Sequence, residues 1–253
     1  MVTIRSRDGK HITGVDEWFA YAPPAGGAKH WKDGRSAKEL AKAWFRTGEA
    51  RMPDELVALL ESHPVIREFR ADEGGVEQET VLDEFKGKGR YHDLIVIGRA
   101  DAERVLLAVE AKNDEPFGDL IGAYLESSVR TNPRSRVPDR IRELAMGVFG
   151  CADVEDLRYQ LLHAAAGTLI EAKKRGASTA VLVIYEFVPA GGKTDKAAQN
   201  ERDLAAFIAR LSGGMPAAFA PGRLFGPFHV PGNDRIPADI PLYIGKVEMI
   251  VGG

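Results

Sequence analysis

The chain has 253 residues, of which 44% are hydrophobic, and carries a formal net charge of −3 at pH 7. This length allows one elaborated domain with a full core, and the single cysteine, Cys151, excludes an internal disulfide framework or a cysteine-based zinc site. Because the sequence has no apolar run of membrane-spanning length and no signal-peptide stretch, we expect a cytoplasmic protein that does not bind membranes. Any nucleic acid would have to be bound by local basic patches.

The first 64 residues predict a helical N-terminal elaboration. Ser36 and Glu39 have capping-box spacing at the start of an amphipathic helix. A second helix is expected from Pro53 to a stop before Pro64. The segment RTGEARM between them is longer than the tight turn of a helix-turn-helix motif, which favours a helical pair packed on a sheet.

From residue 65 to residue 253 the pattern predicts an α/β core that forms one compact unit. Half-exposed strands are expected in VIREFRA and VEQETVLDEF, on either side of Gly74-Gly75, and buried strands in DLIVIG and RVLLAVEA. Helices are expected around 119–130 and 139–149 and from Asp153 to Lys174. A buried strand (STAVLVIYEFV), a helix (DKAAQNERDLAAFIARLSGG) and a last strand (LYIGKVEMIV) follow. This order predicts a mixed central sheet flanked by helices.

Ionisable residues end the two most apolar strands. If the hairpin turns at Asp101, Asp93 lies opposite Glu110, and Lys112, two residues further on, shares the same face. Two carboxylates at that distance repel each other unless a cation lies between them. A magnesium ion held by Asp93, Glu110 and the carbonyl of Ala111 satisfies this condition, and Lys112 would stabilise charge that develops during phosphodiester hydrolysis.

Asp93, followed after a hairpin by Glu110-Ala111-Lys112, resembles the signature of the PD-(D/E)xK nuclease superfamily. The resemblance extends over residues 65–190 in the order of elements, although His92 stands where the signature has Pro. It implies a restriction-endonuclease-like fold and hydrolysis of DNA, or sometimes RNA, with Mg²⁺ or Mn²⁺. The Asp and the Glu would bind the metal, and the Lys would assist the water. The segment WKDGRSAKELAKAWF is also similar to the front of an uncharacterised bacterial family of this fold.

The Glu-x-Lys pattern occurs at residues 84–86, 110–112 and 171–173. The pattern at 171–173 lies at the polar end of a helix and predicts a solvated terminus, and no acid is identified opposite the one at 84–86. Only Glu110 ends a buried strand with an Asp on the partner strand. We therefore interpret that trio as catalytic in preference to a structural ion pair.

The resemblance also implies a catalytic role for Gln160, because several branches of the superfamily place a Gln or a Tyr on the helix that follows the metal strand. A surface Gln on an amphipathic helix is an equally good interpretation. His163, one turn further along, is interpreted as a half-buried histidine with satisfied hydrogen bonds.

An arginine-rich connection follows the hairpin and is expected to contact phosphates through Arg130, Arg134 and Arg136, because a guanidinium can bind two phosphate oxygens. A solvated connection whose arginines pair with local acids is an equally good interpretation. A second basic turn, residues 86–90, precedes Asp93.

Two functional hypotheses follow. The first is a Mg²⁺-dependent nuclease whose partner is nucleic acid, with DNA expected before RNA. The second is a non-catalytic module on the same scaffold that binds nucleic acid or protein, with structural carboxylates. Many such nucleases act as homodimers because two strands need two sites, although the sequence shows no interface.

Overall fold

A computed structural model of the chain describes residues 2–85, 89–214 and 219–252. These residues form an eight-stranded mixed sheet flanked by seven helices, which confirms the predicted α/β architecture. The elements in chain order are β1 (Thr3–Arg5), β2 (His11–Ile12), α1 (Val15–Tyr21), α2 (Ser36–Trp44), α3 (Asp54–Glu61), β3 (Arg70–Thr80), β4 (Arg90–Ala100), β5 (Glu103–Lys112), α4 (Ile121–Thr131), α5 (Val137–Phe149), α6 (Tyr159–Lys174), β6 (Thr179–Pro189), α7 (Asp195–Leu211), β7 (Leu224–Phe228) and β8 (Leu242–Val251).

The strand order across the sheet is β2-β1-β3-β4-β5-β6-β8-β7. Strands β3, β4 and β5 form an antiparallel meander, whereas β5, β6 and β8 are parallel. The parallel connections contain helices, α4 to α6 before β6 and α7 after it, as crossover connections require. The carboxyl ends of three strands therefore meet at one edge of the sheet, where α/β sheets commonly bind ligands.

Both faces of the sheet are buried, which explains why its central strands are apolar on both sides. Along β5, Leu107 and Val109 pack in the same cluster as Trp44 of α2 and Leu56 of α3. Leu106 packs on the opposite face with residues of α6. The expected helical pair packed on the sheet is confirmed. No helix in the described ranges is long and apolar enough to cross a membrane.

The predicted pair of half-exposed strands is a single strand, β3, and residues 65–68 form turns before it. Gly74 lies inside β3 because a side chain would have no room there: a Cβ at this position would come within 2.5 Å of the Ile4 side chain. Strand β1, which contains Ile4 and was not predicted, pairs in parallel with this part of β3. The glycine therefore marks a close approach between strands and not a turn.

Two helix starts also differ from the prediction. Helix α6 begins at Tyr159 and not near Asp153, because the preceding segment caps another helix: the carbonyls of Leu157 and Glu155 accept hydrogen bonds from the first amides of α4, at 2.8 and 3.0 Å. At the start of α2, Ser36 makes no side-chain cap, and Glu39 accepts a hydrogen bond from the Gly34 amide at 2.9 Å.

Candidate functional site

The hairpin that joins β4 and β5 has the register predicted from the sequence. Its pairs run from Ala100 with Glu103 to Leu94 with Val109, and Asp101 occupies the turn with φ 51°. The pairing between β4 and β5 ends at Leu94 and Val109, because residues 90–92 of β4 pair with β3 and not with β5. The two strands thus form a fork at the edge where β5 ends.

Asp93 lies at the base of this fork. Regular alternation breaks at this residue: the His92 ring lies against α6 beside Gly167, whereas Leu94 belongs to the core cluster on the opposite face. By the register of the hairpin Asp93 lies opposite Glu110, as expected, but the two residues form no ladder pair. The Asp93 carboxyl approaches β5 by accepting a hydrogen bond from the amide of Ala111 at 2.7 Å.

The same hydrogen bond shows where the carbonyl of Ala111 points. The N–H and C=O of one strand residue face the same edge, so this carbonyl is directed towards β4 and the fork. Asp93 uses only Oδ2 in its bond to Ala111, and in the described ranges its Oδ1 has no protein donor. Two oxygen donors, Asp93 Oδ1 and the Ala111 carbonyl, are consequently directed into the fork.

Glu110 is the centre of a buried ion network and is only 3% exposed. Its Oε2 accepts a hydrogen bond from Arg90 Nη2 at 2.5 Å, and its Oε1 lies 3.1 Å from Lys112 Nζ. The side-chain amide of Gln160, on the first turn of α6, donates to Oε1 as well. The structure therefore brings together Asp93, Glu110, Lys112 and Gln160 from three separate parts of the chain.

The two carboxyls of the site are electrostatically unlike. Burial by itself raises the pKa of Glu110, but the positive charges of Lys112 and Arg90 outweigh it and lower that pKa to about 2. Burial first, and then the charge of Glu110, raise the pKa of Asp93 well above its ordinary value. Glu110 is thus held ionised by its neighbours, whereas ionised Asp93 lacks an equivalent compensating charge.

A third carboxyl, Glu77 of β3, belongs to the same neighbourhood and was not identified from the sequence. It lies between Val76, which pairs with Leu94, and Gln78, which pairs with His92, so that it is opposite Asp93. Burial, followed by the charge of Glu110, raises the pKa of Glu77 to about 7. Its position could have been found only from the register of β3, which the sequence pattern divided into two strands.

Arg90, which the sequence predicted to belong to a basic turn, is instead a buried residue of β4. It is 4% exposed, binds Glu110 and lies 2.8 Å from Nδ1 of His163 through Nη1. His163 is half-buried and hydrogen-bonded, as expected. Burial, followed by the charge of Arg90, lowers the pKa of His163 to about 3. The other basic residues of that turn fall at 86–88, outside the described residues.

The Glu-x-Lys pattern at 171–173 also differs from its prediction. Glu171 is 1% exposed and is not a solvated residue. It accepts hydrogen bonds from Thr80, Lys174 and Arg175 at 3.0, 3.0 and 2.9 Å. Thr80 in turn lies 2.9 Å from Nε2 of His92, so this glutamate joins α6 to β3 and β4. Its role in the structure is a bridge between a helix and the sheet.

In the arginine-rich connection between α4 and α5, one arginine fits the ion-paired interpretation and two fit contact with phosphate. Arg136 lies over the Phe85 ring at 4.4 Å and pairs with Asp139 at 3.0 Å, as in a locally ion-paired segment. Arg130 and Arg134 are exposed and, in the part of the chain that is described, make no ion pair. Of the three arginines expected to contact phosphate, Arg130 and Arg134 are therefore the ones that remain accessible to it, as far as the described residues show.

Two cavities flank the fork. One of about 420 Å³ is lined by residues that include Arg7, Tyr21, Glu77 and Tyr91. The other, of about 260 Å³, lies on the α6 side beside Gln160. Its tyrosines, Tyr124 and Tyr159, stack on each other with ring centroids 4.8 Å apart. A ligand at the fork would therefore have space on both sides.

The oxygen donors at the fork suit magnesium. Among the described residues, no group of three or more His, Cys, Asp and Glu side chains is arranged to hold a metal. Magnesium needs only one or two carboxylates and otherwise binds water and phosphate oxygens. Asp93, Glu110 and the Ala111 carbonyl fit that requirement. A divalent cation would supply the positive charge that compensates an ionised Asp93.

Comparison with known proteins identifies a family to which the chain belongs, but the description of that family names no activity. A family model described as a domain of unknown function, DUF6946, matches residues 11–249. The chain belongs to this family. No curated protein and no solved structure matches the chain. Proposals about the function of this DUF6946 protein must therefore come from its residues and their geometry.

Proposed function

We propose that this protein is a metal-dependent nuclease that hydrolyses phosphodiester bonds of nucleic acid, with DNA as the first expected substrate. The observation that carries the proposal is the convergence of Asp93, Glu110, Lys112 and Gln160 at the fork. The mixed central sheet flanked by helices also supports it, because the resemblance implies that architecture.

In this proposal Asp93, Glu110 and the Ala111 carbonyl hold Mg²⁺ or Mn²⁺. When bound, the metal would polarise the phosphodiester and lower the pKa of a water molecule. The chain's own residues prepare the site. Arg90 and Lys112 keep Glu110 ionised, and Gln160 fixes the orientation of its carboxylate. Lys112, which pairs with Glu110, would stabilise negative charge that develops on the phosphate.

A non-catalytic binding module is the second candidate, and a specific observation favours it. Both oxygens of Glu110 already have protein partners, so the glutamate is compensated without a metal ion. In that case the network would be structural, and a nucleic acid or protein partner would bind elsewhere on the same scaffold.

Cleavage assays with matched variants distinguish the two candidates. Purified protein is incubated with linear, circular and single-stranded DNA and with RNA, in Mg²⁺, Mn²⁺ or EDTA. The variants are Asp93→Asn and Lys112→Met, with Lys173→Ala as the control because it alters another Glu-x-Lys pattern whose lysine is exposed. Metal-dependent cleavage that is lost in the first two variants and kept in the third supports a nuclease. Absence of cleavage, together with a melting temperature that metal leaves unchanged, supports the binding module.

A further inference from the structure

The larger of the two cavities has the size of a small-molecule site. Its volume of about 420 Å³ lies in the range of about 300–1,000 Å³ that such sites occupy. Arg7 and Asp8, after β1, form one wall, and Tyr21, at the end of α1, forms another. Glu77 and Tyr91 form the side that belongs to the sheet. The N-terminal part of the chain and the core strands thus build this cavity together.

The lining combines aromatic rings with hydrogen-bonding groups of both charges. Arg7 lies over the ring of Tyr91 at 5.8 Å and donates a hydrogen bond to its hydroxyl at 3.3 Å. Tyr21 forms a second aromatic wall, and Asp8 and Glu77 supply acceptors. Aromatic rings and arginine stack on nucleobases, and carboxylates accept hydrogen bonds from the amino groups of base edges. An isolated anion fits poorly, because two carboxylates stand beside the single lining arginine.

The cavity is adjacent to the fork. Tyr91 and Asp93 are two residues apart on β4, which corresponds to about 7 Å along a strand. Glu77 lines the cavity and also interacts electrostatically with Asp93 and Glu110. A nucleotide whose base entered the cavity would therefore have its sugar-phosphate end close to the fork.

The other cavity is a weaker candidate for this role. Its volume of about 260 Å³ is below the usual range for small-molecule sites.

We propose that the cavity of Arg7, Tyr21, Glu77 and Tyr91 binds one unpaired nucleobase of the substrate strand. This inference rests on the proposed nuclease function, because it assigns the base next to the scissile phosphate. It also specifies the substrate class. A base inside a duplex can enter such a cavity only after it leaves the stack, so the site selects single strands or frayed ends over blunt duplex.

Binding is tested in EDTA, where metal-dependent cleavage is stopped. Fluorescence anisotropy is measured with a labelled short single-stranded oligodeoxynucleotide, with an abasic strand of the same length, and with the blunt duplex. We expect the abasic strand to bind about 5- to 150-fold more weakly than the base-containing strand, as the loss of one stacked base implies. The duplex should also bind more weakly than the single strand.

Variants locate the effect in the cavity. Tyr91→Ala should bind the base-containing strand as weakly as wild type binds the abasic strand, and it should no longer distinguish the two. Tyr91→Phe keeps the ring and should retain most of the discrimination. Phe219→Ala is the matched control, since Phe219 lines another cavity of similar volume, about 380 Å³, together with Glu201 and Arg202.

Equal affinity of wild type for the base-containing and abasic strands would overturn the inference, and this result does not depend on whether any variant folds. Unchanged discrimination in a folded Tyr91→Ala protein would overturn it as well. The nuclease proposal is judged separately by cleavage in Mg²⁺. Base-dependent binding without cleavage would contradict the nuclease proposal and support the base-binding cavity. Cleavage without a base preference in binding would support the nuclease and contradict the cavity.

Discussion

Two ion clusters, each built around a buried ion pair, lie at the same edge of the sheet and balance their charges differently. One is the fork cluster of Arg90, Asp93, Glu110 and Lys112. The other, which we call the β8 cluster, consists of Glu186, Lys193, Glu201, Lys246 and Glu248. The β5–β6 ladder pairs Lys112 with Glu186, and the β6–β8 ladder pairs Glu186 with Glu248, so the clusters are neighbours along one row.

In the β8 cluster every carboxylate has a lysine next to it. Lys246 is fully buried, and its Nζ lies 3.3 Å from Glu186 and 2.9 Å from Glu248. Both contacts are ion pairs that lack the geometry of a hydrogen bond. Even Glu186, whose pKa is raised by burial, has this cation as a neighbour. Lys193 lies 2.6 Å from Glu201 and 2.8 Å from Glu248.

The fork cluster leaves one carboxyl without a cation in contact. Asp93 accepts a hydrogen bond from a backbone amide and, in the described residues, takes part in no ion pair. Unpaired buried charge is costly, and such perturbed groups are concentrated at functional sites. The difference teaches that the β8 cluster is balanced by the chain's own lysines, whereas Asp93 must either keep its proton or be balanced by a charge from outside the chain.

The largest effect should come from removing the buried cation of the β8 cluster. Lys246→Met leaves Glu186 and Glu248 facing each other and should lower the free energy of unfolding by about 3–5 kcal/mol. Lys112→Met should cost clearly less, because Arg90 remains bound to Glu110. Urea denaturation of both variants in EDTA measures the difference. Equal losses would show that the two clusters are balanced in the same way.

Asp93→Asn should have the opposite effect on stability. Because burial raises the pKa of Asp93, its ionised form is disfavoured, so the free energy of unfolding in EDTA should rise on substitution at a pH above that raised pKa. The stabilisation that wild type gains from Mg²⁺, about 2.7 kcal/mol at a hundredfold excess over Kd, should be lost. Thermal melts with and without Mg²⁺ test both statements. A destabilised Asp93→Asn protein that still responds to Mg²⁺ would contradict the assigned metal site.

Two individual carboxyls, Glu77 beside the fork and Glu248 of the β8 cluster, should respond to pH in opposite directions. Because the pKa of Glu77, beside the fork, is raised to about 7, its contribution to stability is present below its ordinary value of 4.5 and is lost as pH rises through 7. Burial opposes the shift at Glu248, but contacts with Lys193 and Lys246 lower its pKa. Its contribution is therefore present above the ordinary value and is lost as pH falls through the lowered pKa.

Urea midpoints of the metal-free protein between pH 3 and pH 8.5 check this opposition. Glu77→Gln should flatten the loss of stability on the alkaline side, and Glu248→Gln should flatten the loss on the acid side. The predicted opposition would be contradicted if both variants changed the same side, acid or alkaline, of the stability-versus-pH curve.

The sequence predicted the hairpin and its Glu-x-Lys motif because both depend on local information. Two apolar runs around a short turn fix the register, and the register brings Asp93 close to Ala111. Gln160 was reached only through resemblance, since its partner, Glu110, is fifty residues earlier in the chain.

The features that escaped prediction depend on distant partners. Glu77 was not identified because Gly74-Gly75 has the composition of a turn, which predicts the end of a strand. In the structure, Gly74 instead gives room for the close approach of β1. Arg90 lies in a polar segment that suggests solvent, and only its contact with Glu110 explains its burial. The charge pattern of β8 likewise does not reveal that Lys246 faces Glu186. Long-range ion pairs leave no local periodic signal.

The smallest expected effect concerns the exposed arginines of the connection between α4 and α5. If Arg130 and Arg134 bind phosphates, each substitution by Ala should reduce the slope of log affinity against log salt by about 0.7–0.9, because one fewer counterion-releasing contact is made. Arg99→Ala is the control, since this exposed arginine lies six residues from Asp93, about 20 Å along β4. Stability should be unchanged in all three variants. An unaltered slope would assign the arginines to a solvated surface and leave the fork and its cavity as the sole proposed contacts with nucleic acid.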